Sequence, residues 1–205
     1  MNRPKAFIKI GGVPIIERQA AVLLGGGPKK GAGANGEAGA GVFDELLVIA
    51  KDPAPYEALG FKTLPDDPEF SRLSVPLVGI YTGLKAAVNG HILAVACDMP
   101  FISGKLALRL AELGLGHDAV VPVTGGYKEP LFTVYSKTAL ARMRDALKGG
   151  RLGLHRLFND LDVLYVYEEE LKRYDPGLLS FVNVNTPEEL DIAESLARRR
   201  QERRF

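Results

Sequence analysis

The sequence predicts an α/β fold: a doubly wound, mostly parallel Rossmann-like sheet with helices on both faces, three layers α/β/α. Three observations carry that expectation. The runs FDELLVIA (43–50) and HILAVAC (91–97) are short and almost wholly apolar, which suits strands covered on both sides. The segments between the apolar runs have helical spacing and recognisable caps. Strands and helices alternate along the chain, and that order favours crossover connections. At 205 residues, the length fits one domain over 1–205 with a substantial core.

Taken in order, PIIERQAAVLL (14–24) reads as an amphipathic helix capped by Gly25. A second reading makes Ala20–Leu24 a strand feeding a phosphate loop, because GGGPKKG follows it. A phosphate loop draws its field from a helix N-terminus, and AGANGEAGAG is too rich in glycine to start one. Residues 25–41 are therefore expected to form a flexible glycine-rich insertion. FKTLPDD (61–67) reads as a strand ending in acidic residues. VPLVGIYTGLKAAVNG (75–90) reads as a helix with Pro76 near its start and Gly90 as its stop. In SGKLALRLAELG, Ser103 is the expected N-cap and Gly114 the C-cap. DAVVPV, EPLFTVYS and DVLYVY read as strands; TALARMRDALKGG and LGLHRLFNDL read as helices. The last helix opens with Thr186 as cap, Pro187 at its first position and Glu189 three residues after the cap. Residues 197–205 form a basic tail, expected to be the solvated end of that helix.

Charge and composition narrow the function. A net charge of +1 gives no global field for nucleic acid or an anionic membrane surface, so neither is an expected partner. No apolar run is long enough to span a bilayer, and the start resembles no signal peptide. The single cysteine, Cys97, suits a reducing cytoplasm and reads as a small buried hydrophobe rather than a nucleophile. His91, His117 and His155 lack zinc-ligand spacing. In open parallel sheets, ligands bind beyond the carboxyl ends of the strands. Asp98 stands at such an end after HILAVAC, and Asp66 with Asp67 stands at another after FKTL. A carboxylate there suits Mg²⁺ carrying a polyphosphate; the competing reading is a turn cap before Pro100.

Several stretches, in order, resemble the molybdenum cofactor guanylyltransferase family (molybdopterin-guanine dinucleotide biosynthesis protein A). PKAFIKIGGVPIIERQ, FDELLVIAKDPAPY and GFKTLPDD resemble its first third. VPLVGIYTGLKAA resembles its G-P-L-x-G-I-x-x-G-L pattern, with Val75 where glycine is usual. ACDMPFIS resembles its C-D-M-P-F strand end, GGYKEPLFTVYSK its pterin-facing segment, and FVNVNTPEEL its N-V-N-T-P-E-E-L. The resemblance runs from Pro4 to about Leu196 and implies a nucleotide-diphospho-sugar transferase-like fold. It implies transfer of GMP from Mg-GTP to the terminal phosphate of molybdopterin, with release of pyrophosphate. A sister nucleotidyltransferase for another phosphorylated acceptor, or a catalytically silent nucleotide- or pterin-binding protein, is the alternative.

Carried over by position, the resemblance implies that Asp98 binds Mg²⁺ and Lys5 contacts the nucleotide phosphates. It places Asp66 at the guanosine end, Asn183 and Asn185 in the cleft, and Glu129 with Pro130 on the pterin side. Its partners are GTP and molybdopterin, together with carrier or acceptor proteins for the cofactor. Each residue also has a structural reading: Lys5 as a solvated lysine, Asp66 as a turn residue, Asn183 and Asn185 as caps of the last helix. One departure stands out. The family opens with a strand and the loop L-A-G-G-x-S-x-R-M-G ahead of the lysine matched by Lys5, whereas Met1 lies four residues before Lys5. Weak GTP binding, with little or no guanylyl transfer by these 205 residues, is the resulting expectation.

Overall fold

A computed structural model describes residues 4–25 and 41–202. The chain enters through a 3₁₀ turn at Lys5–Phe7 and a small antiparallel hairpin of β1 (Lys9–Ile10) and β2 (Val13–Pro14). Gly11 (φ 58°) and Gly12 (φ 81°) make its two-residue turn, in which both central positions need the left-handed region. Helix α1 (Ile15–Leu24) follows and ends at Gly25, φ 68°. Ala20–Leu24 is thus helical, as the amphipathic reading expects, and not a strand feeding a loop. Residues 26–40 of the expected insertion and 203–205 of the expected tail lie outside the described residues.

The chain resumes with β3 (Leu47–Ile49), α2 (Ala54–Glu57) and β4 (Lys62–Leu64), then α3 (Pro76–Ala86) and β5 (His91–Val95). Next come α4 (Gly104–Leu113), β6 (Ala119–Thr124), β7 (Tyr127–Lys128), β8 (Phe132–Ser136) and α5 (Leu140–Lys148). The last part holds α6 (Leu154–Leu157), β9 (Val163–Tyr167), α7 (Glu168–Tyr174) and α8 (Pro187–Glu202). The caps at Ser103 and Thr186 behave as the sequence predicts, whereas α3 stops at Ala87 rather than at the expected Gly90. Ser103 Oγ accepts from Leu106 N, and Thr186 with Glu189 forms a reciprocal capping box, Glu189 N to Thr186 Oγ1 at 3.2 Å and Thr186 N to Glu189 Oε2 at 3.0 Å.

The α/β, three-layer architecture stands, with one refinement. β8 lies between β5 and β6 and is antiparallel to both, while β9 pairs with β6 in parallel, so the five-stranded sheet is mixed. The reason is connection length. Too few residues separate β6 from β8 for a crossover helix, so the chain turns back through Gly125–Gly126. Because β5 and β6 each oppose β8, they point the same way and their carboxyl ends share one edge.

Alternate residues of each strand feed the two faces. Ala119, Val121 and Tyr135 pack with α3 and α5 residues such as Leu84, Met143 and Ala146. Val120, Phe132, Val134 and Val166 pack on the other face with Leu106 and Leu110 of α4 and Leu171 of α7. β3 and β4 form a separate parallel pair. Helix α3 spans both sheets: a Cβ at Gly83 would meet Ile49 of β3 at 3.6 Å and Ile92 of β5 at 3.8 Å. Among the described residues no strand pairs with the second edge of β3 or of β5. The residues of both strands, apolar except for His91, are accordingly only partly buried.

Two small clusters bring distant chain segments to the carboxyl end of β5. Ala6 is buried with Ile16 and Ala20 of α1, Tyr56 and Phe61. Ile10, Ile15, Phe101, Val184, Ala193 and Ala197 bind the hairpin to α8.

At the end of α1, Leu23 O accepts from both Val42 N (2.8 Å) and Phe43 N (2.9 Å), so the chain leaves and returns at one place. Replacing residues 26–40 by a short turn should therefore preserve the fold, since loop length costs only about 0.6 kcal/mol per doubling. A thermal melt within a few degrees of the parent is expected; loss of the cooperative transition would contradict it.

Candidate active site

The carboxyl end of β5 runs into the turn Ala96–Cys97–Asp98–Met99–Pro100. Asp98 is partly buried, its side chain 18% exposed, and Lys5 Nζ lies 3.3 Å from its Oδ2. The same ammonium donates to Asn185 Oδ1 at 2.5 Å. Three residues separated by up to 180 positions thus meet at one strand end. Among the described residues the Asp98 carboxylate accepts no backbone N–H, and its side-chain partner is Lys5. Asn185 is not the cap of α8, because Thr186 fills that role.

The main chain ties these groups together. Asp98 O accepts from Val184 N at 2.9 Å, which draws the Asn183–Asn185 segment over the turn. Asn183 Oδ1, two residues before Asn185, is buried and without a hydrogen-bond partner, an unmet acceptor. On the other side, Ala96 N donates to Leu131 O at 3.0 Å, bringing Glu129 and Pro130 to the same end of β5. Their turn is held from beneath: Tyr135 Oη donates to Pro130 O at 2.9 Å and Thr133 Oγ1 to Glu129 O at 2.7 Å. The Glu129 carboxylate itself accepts from Thr124 Oγ1.

Asp66 and Asp67 divide. Asp67 is buried and structural: Lys85 Nζ donates to it at 2.8 Å, and Glu69 N donates to its other oxygen. The bond from Lys85 holds its carboxyl below the ordinary value. Asp66 makes no hydrogen bond or ion pair among the described residues and is not joined to the Asp98 cluster.

Two features escape the sequence. Cys97 is exposed rather than buried; it follows a strand that, among the described residues, is paired along one edge only. Desolvation by its neighbours and the adjacent Asp98 charge push its thiol pKa up, so it is a poor nucleophile. Gln19, on the buried stripe of α1 with Ile15, Ile16, Ala20 and Leu23, donates to Ala96 O (2.7 Å) and Met99 O (2.9 Å). A polar residue within an apolar stripe is the signal that could have flagged it.

No group of three or more His, Cys, Asp and Glu side chains that could cage an ion occurs among the described residues. Mg²⁺ needs only one or two carboxylates when phosphate oxygens and water complete its shell, and the Asp98 carboxylate stands at this strand end.

The family model of the MobA-like NTP transferase domain matches residues 1–164. The chain belongs to the MobA-like NTP transferase family. Among curated relatives, the probable molybdenum cofactor guanylyltransferase of Pelotomaculum thermopropionicum is 32% identical over 197 residues, covering 96% of this chain and 87% of the relative. The molybdenum cofactor guanylyltransferase of Desulfosudis oleivorans is 34% identical over 155 residues, 75% of each chain. Solved structures agree on the fold of this MobA-like chain. Molybdopterin-guanine dinucleotide biosynthesis protein A from Archaeoglobus fulgidus superposes with a TM-score of 0.75 at 23% identity, covering 97% of this chain and 92% of that one. 2-C-methyl-D-erythritol 4-phosphate cytidylyltransferase from Thermus thermophilus gives 0.65 at 20% identity, covering 95% and 94%. The MobA-like chain is thus a nucleotidyltransferase by family. No helix among its described residues is long and apolar enough to cross a membrane.

If the Lys5–Asp98–Asn185 cluster serves ligands rather than the fold, it contributes little stability, as half-exposed ion pairs do. Lys5→Met and Asn185→Ala should each cost less than about 1 kcal/mol in urea unfolding. A loss above about 3 kcal/mol for either would make the cluster a structural buried pair.

Proposed function

We propose that this chain transfers GMP from Mg-GTP to the terminal phosphate of molybdopterin and releases pyrophosphate. The observation that carries the reading is the meeting of Lys5, Asp98 and Asn185 at the carboxyl end of β5, in a chain whose curated relatives bear the guanylyltransferase name. In the reaction, an oxygen of the acceptor phosphate attacks the α-phosphorus of GTP. The bond from that phosphorus to the bridging oxygen of the β-phosphate breaks, and pyrophosphate leaves with the electron pair.

The attacking phosphate is already ionised near neutral pH, so the site needs no general base. Positioning and charge neutralisation carry the catalysis. Asp98 would hold Mg²⁺, which supplies charge neutralisation and orientation of the phosphates when bound. Lys5 then exchanges its carboxylate partner for phosphate oxygens, where its charge opposes the negative charge growing on the leaving group. Asn185 keeps the Lys5 ammonium aimed at that region. Asn183, with its unmet acceptor, and the Glu129–Pro130 turn face the pterin side. Asp66, free of protein partners among the described residues, takes the guanosine end. The reaction belongs in the cytoplasm, with carrier or acceptor proteins for the finished cofactor as further partners.

Asp98→Asn should lower pyrophosphate release by at least about 100-fold, roughly 2.7 kcal/mol of barrier, while its melting temperature stays within a few degrees. Unchanged turnover, or a protein that no longer folds, would remove Asp98 from the metal role.

A further inference from the structure

We propose that Gln19 is a positioning residue for Asp98, fixing the main chain on both sides of it from the buried face of α1. This rests on the metal role given to Asp98 above. Gln19 is only 7% exposed. Its amide nitrogen donates to Ala96 O at 2.7 Å and to Met99 O at 2.9 Å, so both N–H groups are spent on carbonyls that bracket Cys97–Asp98. Two carbonyl acceptors also settle which end of the amide faces the turn. The neighbouring Arg18 extends the grip, with Nε donating to Pro100 O at 3.3 Å and Nη1 to Ile10 O at 3.1 Å.

Burying a primary amide among Ile15, Ile16, Ala20 and Leu23 is costly without two good bonds. An apolar residue would serve the helix better. What the amide adds is a defined backbone path across a turn that carries a metal-binding carboxylate and belongs to no helix or strand. Shifts on the order of 1 Å at such a group cost about 100-fold in rate.

The test is Gln19→Met, which keeps side-chain length and removes both donors. Calorimetric titration of Mg²⁺ in the presence of a non-hydrolysable GTP analogue should show affinity weakened by about tenfold. In steady state, kcat should fall by about tenfold, with KM for GTP changed less than about twofold. Ile15→Val, a packing control on the same helix, should lower the melting temperature without altering Mg²⁺ affinity. In an Asp98→Asn background, Gln19→Met should add no further loss. A lower melting temperature with Mg²⁺ affinity and kcat unchanged would overturn the proposal, as would an undiminished extra loss in the Asp98→Asn background. If Gln19→Met does not fold, Gln19→His retains one donor and should weaken Mg²⁺ by about threefold; an unchanged affinity there overturns the proposal equally. An inert Asp98→Asn would sink the metal reading and this inference with it. An Asp98→Asn that acts while Gln19→Met does not would overturn this inference alone.

Discussion

The carbonyls of the turn after β5 carry the hydrogen bonds on which the rest of the site depends. Ala96 O and Met99 O take Gln19, Asp98 O takes Val184 N, and Pro100 O takes Arg18. Ala96 N reaches across to Leu131 O. Three regions far apart in sequence, α1, the 129–131 turn and the segment before α8, are registered on one five-residue stretch. An irregular turn has no ladder or helix to satisfy its polar groups, so their partners must come from elsewhere. Here those partners are also the elements that bring Lys5, Asn183, Asn185, Glu129 and Pro130 into range.

Packing explains why these elements stay in place. Lys5 sits on a single 3₁₀ turn, but its neighbour Ala6 is fully buried under α1 and Tyr56. Asn185 precedes α8, whose Ala193 and Ala197 seal against the β1–β2 hairpin. Both polar groups are therefore placed by apolar contacts next to them, while their own contacts remain half-exposed and exchangeable. That division suits phosphate chemistry, in which a protein cation must change partners as charge moves to the leaving group.

Much of this was legible in the sequence, and the gaps have physical causes. Caps are local, so Ser103, Gly25 and the Thr186–Glu189 box could be read directly, and uniformly apolar runs located β3, β5, β6 and β9. Strand direction was less accessible: only the short span between β6 and β8 hinted that β8 runs against its neighbours. Helix α7, EEELKRY, has a single buried residue, Leu171, and too little periodicity to announce itself. The short hairpins at Gly11–Gly12 and Gly125–Gly126 pair too few residues to read as strands. Asp98 was visible by position, yet the pairing of Lys5 with Asp98 and with Asn185, across 93 and 180 residues, is a tertiary fact. Cys97 misled because a strand end in a filled sheet is buried, whereas among the described residues β5 is paired along one edge only.

The central claim is that this strand end joins a guanylyl group to a pterin phosphate, and product identity tests it most directly. The protein, Mg²⁺ and molybdopterin would be incubated with equimolar GTP, CTP and ATP, and the products resolved by mass spectrometry. The account predicts molybdopterin guanine dinucleotide and pyrophosphate in equal amounts, in excess over the cytosine and adenine products. A folded protein that joins cytosine or adenine in preference would contradict it.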